Sequence, residues 1–365
     1  MVLFDFFFLN YHLITYLHFI FFLFSFILLI LIIIQNRSLE HLILFVLMFF
    51  TGKWFNIFYE PVNIVWTINF FLLLVFCYYM NSKRSKTNFF KIFLILTFLI
   101  INFKASVAVI IFSIFYGLFI LSNFRERFFF VITPVFILLT VFLVINLNKI
   151  STAEHVEINL LNYISVFNIF IILKNFFSMQ SIIFFPLLDI SKNLSFIFSL
   201  IQNFLILKYL IDSRTNFKIK NFFLENPMLI LGLIGCLMTS FVKQDIIQIR
   251  YFSFSLLYQL GFLIFVIKNY AFSNKQITYM FFKYFLIATF TINLLFFNQG
   301  IHFVLSKYTI YEKFSECLSK DSFVENCYNY IYDKTFYADS SFSRDRFDKL
   351  LLFLKENNLS IFKKL

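Results

Sequence analysis

Residues 13–34 read LITYLHFIFFLFSFILLILIII. No Asp, Glu, Lys or Arg interrupts them, and apolar side chains fall on every face of a helix instead of along one stripe. A helix on the surface of a soluble domain keeps a polar face. A transmembrane barrel strand alternates polar and apolar at period 2. This run does neither, and its length suits a hydrocarbon core of about 30 Å, which a helix of roughly 20 apolar residues crosses. Lipid satisfies no open backbone group, so such a run is read as a helix. Further runs follow at 39–51, 62–80, 89–101, 105–121, 128–146, 160–173, 194–211, 227–242, 251–268 and 277–297. The expected fold is all-α: a polytopic transmembrane helix bundle of about 9–11 spans over residues 1–297, then a small extracytoplasmic tail, 298–365. The shorter runs are expected to be tilted, broken or partly buried in the bundle.

Composition agrees. Hydrophobic residues make up 61% of the chain and charged residues 14%, against about 25% charged in soluble domains. A soluble fold of this composition would expose apolar area large enough to aggregate. The 63 phenylalanines, with plentiful Ile, Asn and Lys, are read as codon bias of an AT-rich genome and not as a functional signature. Net charge is +12, but the basic residues cluster in short loops between runs. There they set membrane orientation, so membrane lipid, and no nucleic acid, is the expected partner.

The basic loops fix a topology. Lys83, Arg84 and Lys86, then Arg125 and Arg127, then Arg214, Lys218 and Lys220, then Lys268 and Lys275 are expected on the cytoplasmic side. Residues 1–12, 52–61, 147–159, 243–250 and the tail then fall outside. Glu154 and Glu157 beside the single Lys149 suit that side. Residues 160–193, with Lys174, Pro186 and Asp189, read either as two short spans or as a re-entrant segment. The N-terminus has no basic region of the kind a secretory signal carries; a helix missing ahead of it would explain an outer start.

Cys77 and Cys236 lie in apolar runs and are expected to pack as small hydrophobes. Cys317 and Cys327 lie close together in the tail, and their spacing suits a disulfide in an oxidising compartment. A metal site is the weaker alternative, with only His302 nearby, and no metal is expected. Ser343 can cap a helix over Arg344–Asn357, which places Phe347, Leu350, Leu351 and Leu354 on one face.

No Walker A loop, HExxH, CxxC or GxSxG occurs. That argues against an ATP-driven motor and a Rossmann enzyme, and the sequence identifies no cofactor. The segment Lys243-Gln244-Asp245-Ile246-Ile247-Gln248-Ile249-Arg250-Tyr251-Phe252-Ser253-Phe254-Ser255 is the most informative. An Arg heading a span on the outer face opposes the orientation bias. Either its forked guanidinium binds phosphate, or it snorkels at the membrane edge.

The stretch Arg250-Tyr251-Phe252-Ser253-Phe254-Ser255-Leu256-Leu257 resembles an RYxxFS element of a family of uncharacterised multi-pass bacterial inner-membrane proteins. Cys317-Leu318, Cys327, Ile331-Tyr332 and the closing Leu354-Lys355-Glu356-Asn357-Asn358-Leu359-Ser360-Ile361-Phe362 are similar to that family too. Its first outer loop carries an HNEHR-like motif; here Asn10-Tyr11-His12-Leu13-Ile14 stands in the comparable place, without the acidic residue, the second polar half and the Arg. Such proteins look like GT-C glycosyltransferases of the bacterial inner membrane. The resemblance implies a polyprenyl-phosphate-linked sugar as donor, phosphate held by Arg250 with Tyr251 in support, and an outer carboxylate as base. Asp5 is the candidate base, with His12, Glu60 and Asp245 as further candidates. Each also has a plain reading. Asp5 and Glu60 can be solvated loop charges, and Asp245 can pair with Arg250. His155 reads as a solvated loop residue and His18 as a satisfied polar group inside a span. An O-antigen polymerase or ligase is the alternative enzyme, although short loops count against it. A transporter would need broken helices, for which six glycines and four prolines give little material. A non-catalytic membrane subunit is the remaining class.

Overall fold

The computed structural model describes residues 11–36, 38–50, 64–81, 86–102, 106–121, 123–147, 166–184, 189–212, 219–242 and 252–271, with scattered positions between 279 and 291. Among the described residues every regular element is helical and no strand occurs. In chain order the helices are α1 (Tyr11–Gln35), α2 (Leu42–Phe49), α3 (Ile64–Asn81), α4 (Lys86–Asn102), α5 (Ser106–Phe115), α6 (Phe124–Leu147), α7 (Val166–Ser181), α8 (Asp189–Asp212), α9 (Ile219–Glu225), α10 (Pro227–Val242) and α11 (Phe252–Val266). Turns of π-helix extend α5 over Tyr116–Ile120 and α11 over Ile267–Ala271. The expected tail lies outside the described residues.

Among the described residues three helices are long enough and apolar enough to cross a membrane: Tyr16–Gln35, Asn193–Asp212 and Phe252–Tyr270. Shorter apolar helices include Ile64–Met80, Phe90–Leu99, Ala108–Leu118 and Pro227–Phe241, and most of the run 277–297 lies outside the described residues. Some of the helices' hydroxyls are met locally. Ser25, Thr97 and Thr239 donate to the carbonyls of Phe21, Phe93 and Gly235, each four residues back. That return bond keeps a polar side chain satisfied within its own helix.

Two regions differ from the sequence expectation. The run read as ending at 173 continues as α7 through Lys174 to Ser181. Lys174 stands on an exposed position, so its charge need not end the helix, and the polar residues beyond it turn inward. Helix α8 then returns beside α7: Phe177 meets Phe196 at 5.7 Å, and the Ser195 hydroxyl donates to the Ser178 carbonyl at 2.6 Å. Residues 166–181 and 189–212 therefore form an antiparallel helix pair. Arg127, read as a loop residue, belongs to the first turn of α6, where its Nε donates to the Leu121 carbonyl at the end of the α5 extension.

Packing fixes the direction of each helix. Helices α10 and α11 are antiparallel and in close contact at Gly232, Gly235 and Gly261. A β-carbon on Gly232 would come 2.6 Å from the Tyr258 Cα, and one on Gly261 would come 2.7 Å from the Leu229 Cα. Small residues allow that approach, as in membrane helix pairs. Helix α1 runs parallel to α3, since His18 meets Thr67 while Phe21 and Phe24 both meet Phe71. Helix α8 runs parallel to α11: Gln202 bonds Gln259, and further along Tyr209 meets Phe265.

Candidate functional site

A chain of rings ties the C-terminal parts of α3 and α11 to one end of the packed helices. Phe76 lies 5.7 Å from Phe112, Phe112 lies 6.5 Å from Phe223, and the adjacent Phe222 lies 6.0 Å from Phe265. The N-termini of α3 and α11 accordingly share the opposite end. Parallel packing brings the N-termini of α1 and α8 there as well. At least four helices therefore begin at one end, where α7 and α10, antiparallel to α8 and α11, also finish.

Asp5, Glu60, Asp245, Arg250 and Tyr251 lie outside the described residues, as do Cys317 and Cys327. His12 falls in the first turn of α1. The segments 1–10, 51–63 and 243–251 nevertheless lead into α1, α3 and α11, three of the helices that begin at this end. The second half of the RYxxFS element is described, and it packs. Phe254 is fully buried against Gly235. The Ser255 hydroxyl donates to the Gln180 carbonyl at 3.0 Å.

That bond belongs to a buried polar seam where the C-terminus of α7 meets α8 and α11. A helix leaves its last four carbonyls without intrahelical partners. Here other helices supply donors to two of them. Ser195 serves Ser178, while both Ser255 and the Gln259 amide, at 2.6 Å, serve Gln180. The side chains of Gln202 and Gln259 exchange two hydrogen bonds, of 2.6 and 2.9 Å. Asn203 donates to the side-chain oxygen of Gln180, and the hydroxyls of Ser181 and Ser199 bond each other. The expected satisfied polar group, His18, is 1% exposed and its Nδ1 lies 2.8 Å from the Thr67 hydroxyl.

Several buried polar atoms have no hydrogen-bond partner among the described residues. They include both amide atoms of Asn69, the hydroxyls of Ser253 and Tyr258, the Gln180 Nε2, the His41 Nδ1 and the Asn226 Oδ1. Asn69 is 1% exposed and Ser253, Tyr258 and Gln180 are fully buried. Amides and hydroxyls of this kind carry no charge near neutral pH. They can orient, donate and accept, but they do not supply a general base. Among the described residues no group of three or more His, Cys, Asp or Glu could hold a metal ion. Cys77 and Cys236 are buried free thiols.

The chain matches no family model, no curated protein and no solved structure.

The seam is what sequence reasoning missed. Its signal was present on α8, where Ser195, Ser199 and Gln202 recur at helical spacing, and on α11, where Ser255 and Gln259 lie four apart. A stripe of neutral polar residues inside an apolar run marks a helix face that meets another helix.

Proposed function

We propose that the chain is a multi-pass integral membrane protein of a bacterial inner membrane, a helical bundle over 1–297 with an extracytoplasmic tail over 298–365. We propose further that it is a GT-C-like glycosyltransferase that takes a polyprenyl-phosphate-linked sugar at the outer face. The membrane part is supported by apolar faces that no other part of the described chain covers. On α1, Phe19, Leu23, Ile27 and Leu31 are exposed, and on α8, Ile197, Phe204 and Ile211. Lipid is the solvent that suits such faces.

The observation that supports the transferase part is that the segments carrying Asp5, Glu60, Asp245 and Arg250 lead into α1, α3 and α11, which begin at one end. Arg250 precedes the first described residue of α11 by two positions, and its guanidinium adds a forked donor pair for phosphate oxygens. In this reading Arg250 holds the lipid phosphate and stabilises the charge it gains as the sugar leaves. Tyr251 supports that contact. Asp5 takes the acceptor proton, with His12, Glu60 and Asp245 entering the same end.

The test is impermeant thiol labelling of intact cells before and after reduction, joined to a transfer assay with a labelled polyprenyl-phosphate sugar. Labelling of Cys317 and Cys327 only after reduction, with transfer lost in Arg250→Ala, is the expected result. Labelling that needs a permeabilised membrane would overturn the outer-face topology. Transfer retained in Arg250→Ala would overturn the site.

A further inference from the structure

Helix α6 carries Pro134 in its interior. Proline has no N–H, so the helical bond that residue 134 would give to the carbonyl of Phe130, four residues back, is lost. The neighbouring helix supplies a donor in its place. The Ser113 hydroxyl of α5, fully buried, donates to the Phe130 carbonyl at 2.7 Å. A serine or threonine inside a helix has an easier partner, a carbonyl of its own preceding turn. Ser25, Thr97 and Thr140 all use it. Ser113 crosses to α6 instead, and the carbonyl it meets there is the one that Pro134 leaves open.

The two sides of Pro134 are held differently. Before it, Phe129 meets Phe93 of α4 at 5.8 Å and Phe130 meets Tyr116 at 5.3 Å. Phe130 and Val131 also pack against Gly117, and Arg127 bonds the Leu121 carbonyl. After it, Val135, Phe136, Leu139 and Thr140 are exposed and Ile137 is half-buried. A proline inside a helix is where the helix bends. Here it divides a packed half from an exposed one. We propose that Pro134 is a hinge in α6 and that the Ser113 hydroxyl is its latch. With the bond made, the half beyond Pro134 lies along the bundle. With the bond broken, that half swings while the half before Pro134 stays packed.

Two measurements on the purified full chain in lipid nanodiscs test this. The first is a thermal double-mutant cycle. Ser113→Ala removes only the hydroxyl and is expected to lower the melting temperature by several degrees. Pro134→Ala restores the N–H, so adding Ser113→Ala to it is expected to cost less. Equal losses in both backgrounds would overturn the latch. If Ser113→Ala alone does not fold, recovery of folded protein in Ser113→Ala with Pro134→Ala supports the latch, and continued failure overturns it. The second measurement is the distance distribution between two spin labels, by pulsed electron paramagnetic resonance. Cys317 and Cys327 are replaced by serine, and Cys77 and Cys236 are buried. Labels on the exposed positions Phe98 of α4 and Leu139 of α6 report the half beyond Pro134, and labels on Phe98 and Phe128 report the half before it. Ser113→Ala is expected to broaden the first distribution and leave the second unchanged, and Pro134→Ala added to it should narrow the first again. Equal broadening of both distributions, or of neither, would overturn the hinge.

Discussion

Gly261 of α11 lies backbone to backbone against Leu229 of α10. A β-carbon on Gly261 would fall 2.7 Å from the Leu229 Cα, and one on Gly232 would fall 2.6 Å from the Tyr258 Cα. In both cases the obstacle is main chain, which cannot rotate away. Gly261→Ala and Gly232→Ala should each force α10 and α11 apart and cost about 1–3 kcal/mol. Gly117 provides the contrast: its nearest obstacle is a methyl of Val131, at 2.9 Å, which can turn aside. Thermal unfolding in one detergent should rank Gly117→Ala as the mildest of the three. Equal losses would mean that the contact between α10 and α11 is not the tight one.

The paired amides of Gln202 and Gln259 join α8 to α11 at full burial. Gln259→Leu breaks the pair and leaves Gln202 with an unmet buried amide, so it should destabilise by about 1–3 kcal/mol. The double variant Gln202→Leu with Gln259→Leu removes both polar groups, and should lose less than the two single losses added. The coupling expected from a double-mutant cycle is about 0.5–2 kcal/mol. Additive losses would show that the two amides act independently.

Helix positions were legible in the sequence where apolar character surrounded the helix. Residues 13–34 sit inside α1, and the expected 227–242 matches α10, where Pro227 occupies the first helical position that its missing N–H suits. The end of α7 was not legible. Lys174 looked like a terminus because charge is costly in lipid, whereas an exposed position on the helix lets its head reach a polar layer. The seam was harder still. Gln180, Gln202 and Gln259 make bonds across 57 and 79 residues of chain, and a single run shows the stripe but not its partner. Of the candidate site, Asp5, Glu60, Asp245, Arg250 and Tyr251 were chosen from loop charge and resemblance. What the fold adds is that three of the helices they precede begin together.

Cys77 and Cys236 are both fully buried, in α3 and α10. A maleimide should leave both unmodified in the folded protein and modify both in hot SDS, as read by mass spectrometry of the peptides. Cys236 lies one residue past Gly235, which touches Phe254. Loosening the contact in Gly261→Ala should therefore speed modification of Cys236 more than that of Cys77. Rapid labelling of either cysteine in the native wild type would contradict the packing of its helix.

Arg127 was read from sequence as one of the cytoplasmic charges that orient the chain, and the fold gives it a second task. Helix α5 ends in a π-helical turn, with the Leu121 amide bonded to the Tyr116 carbonyl at 3.2 Å. The Leu121 carbonyl is then left at the chain reversal, and the Arg127 Nε donates to it from the first turn of α6. The two roles separate by substitution. Arg127→Lys keeps the charge but loses the planar guanidinium that reaches this carbonyl, so orientation should hold while stability falls. A charge-assisted bond of this kind contributes about 1.5–3 kcal/mol when buried, and this partly buried one should contribute less, about 0.5–1.5 kcal/mol. Arg127→Gln should lose the same stability and also weaken the inward bias of its loop, which only Arg125 would then maintain against Glu126. The measurements are the melting temperature of each variant and the side of a reporter fused after residue 147. Equal melting temperatures for wild type and Arg127→Lys would reduce Arg127 to its charge alone.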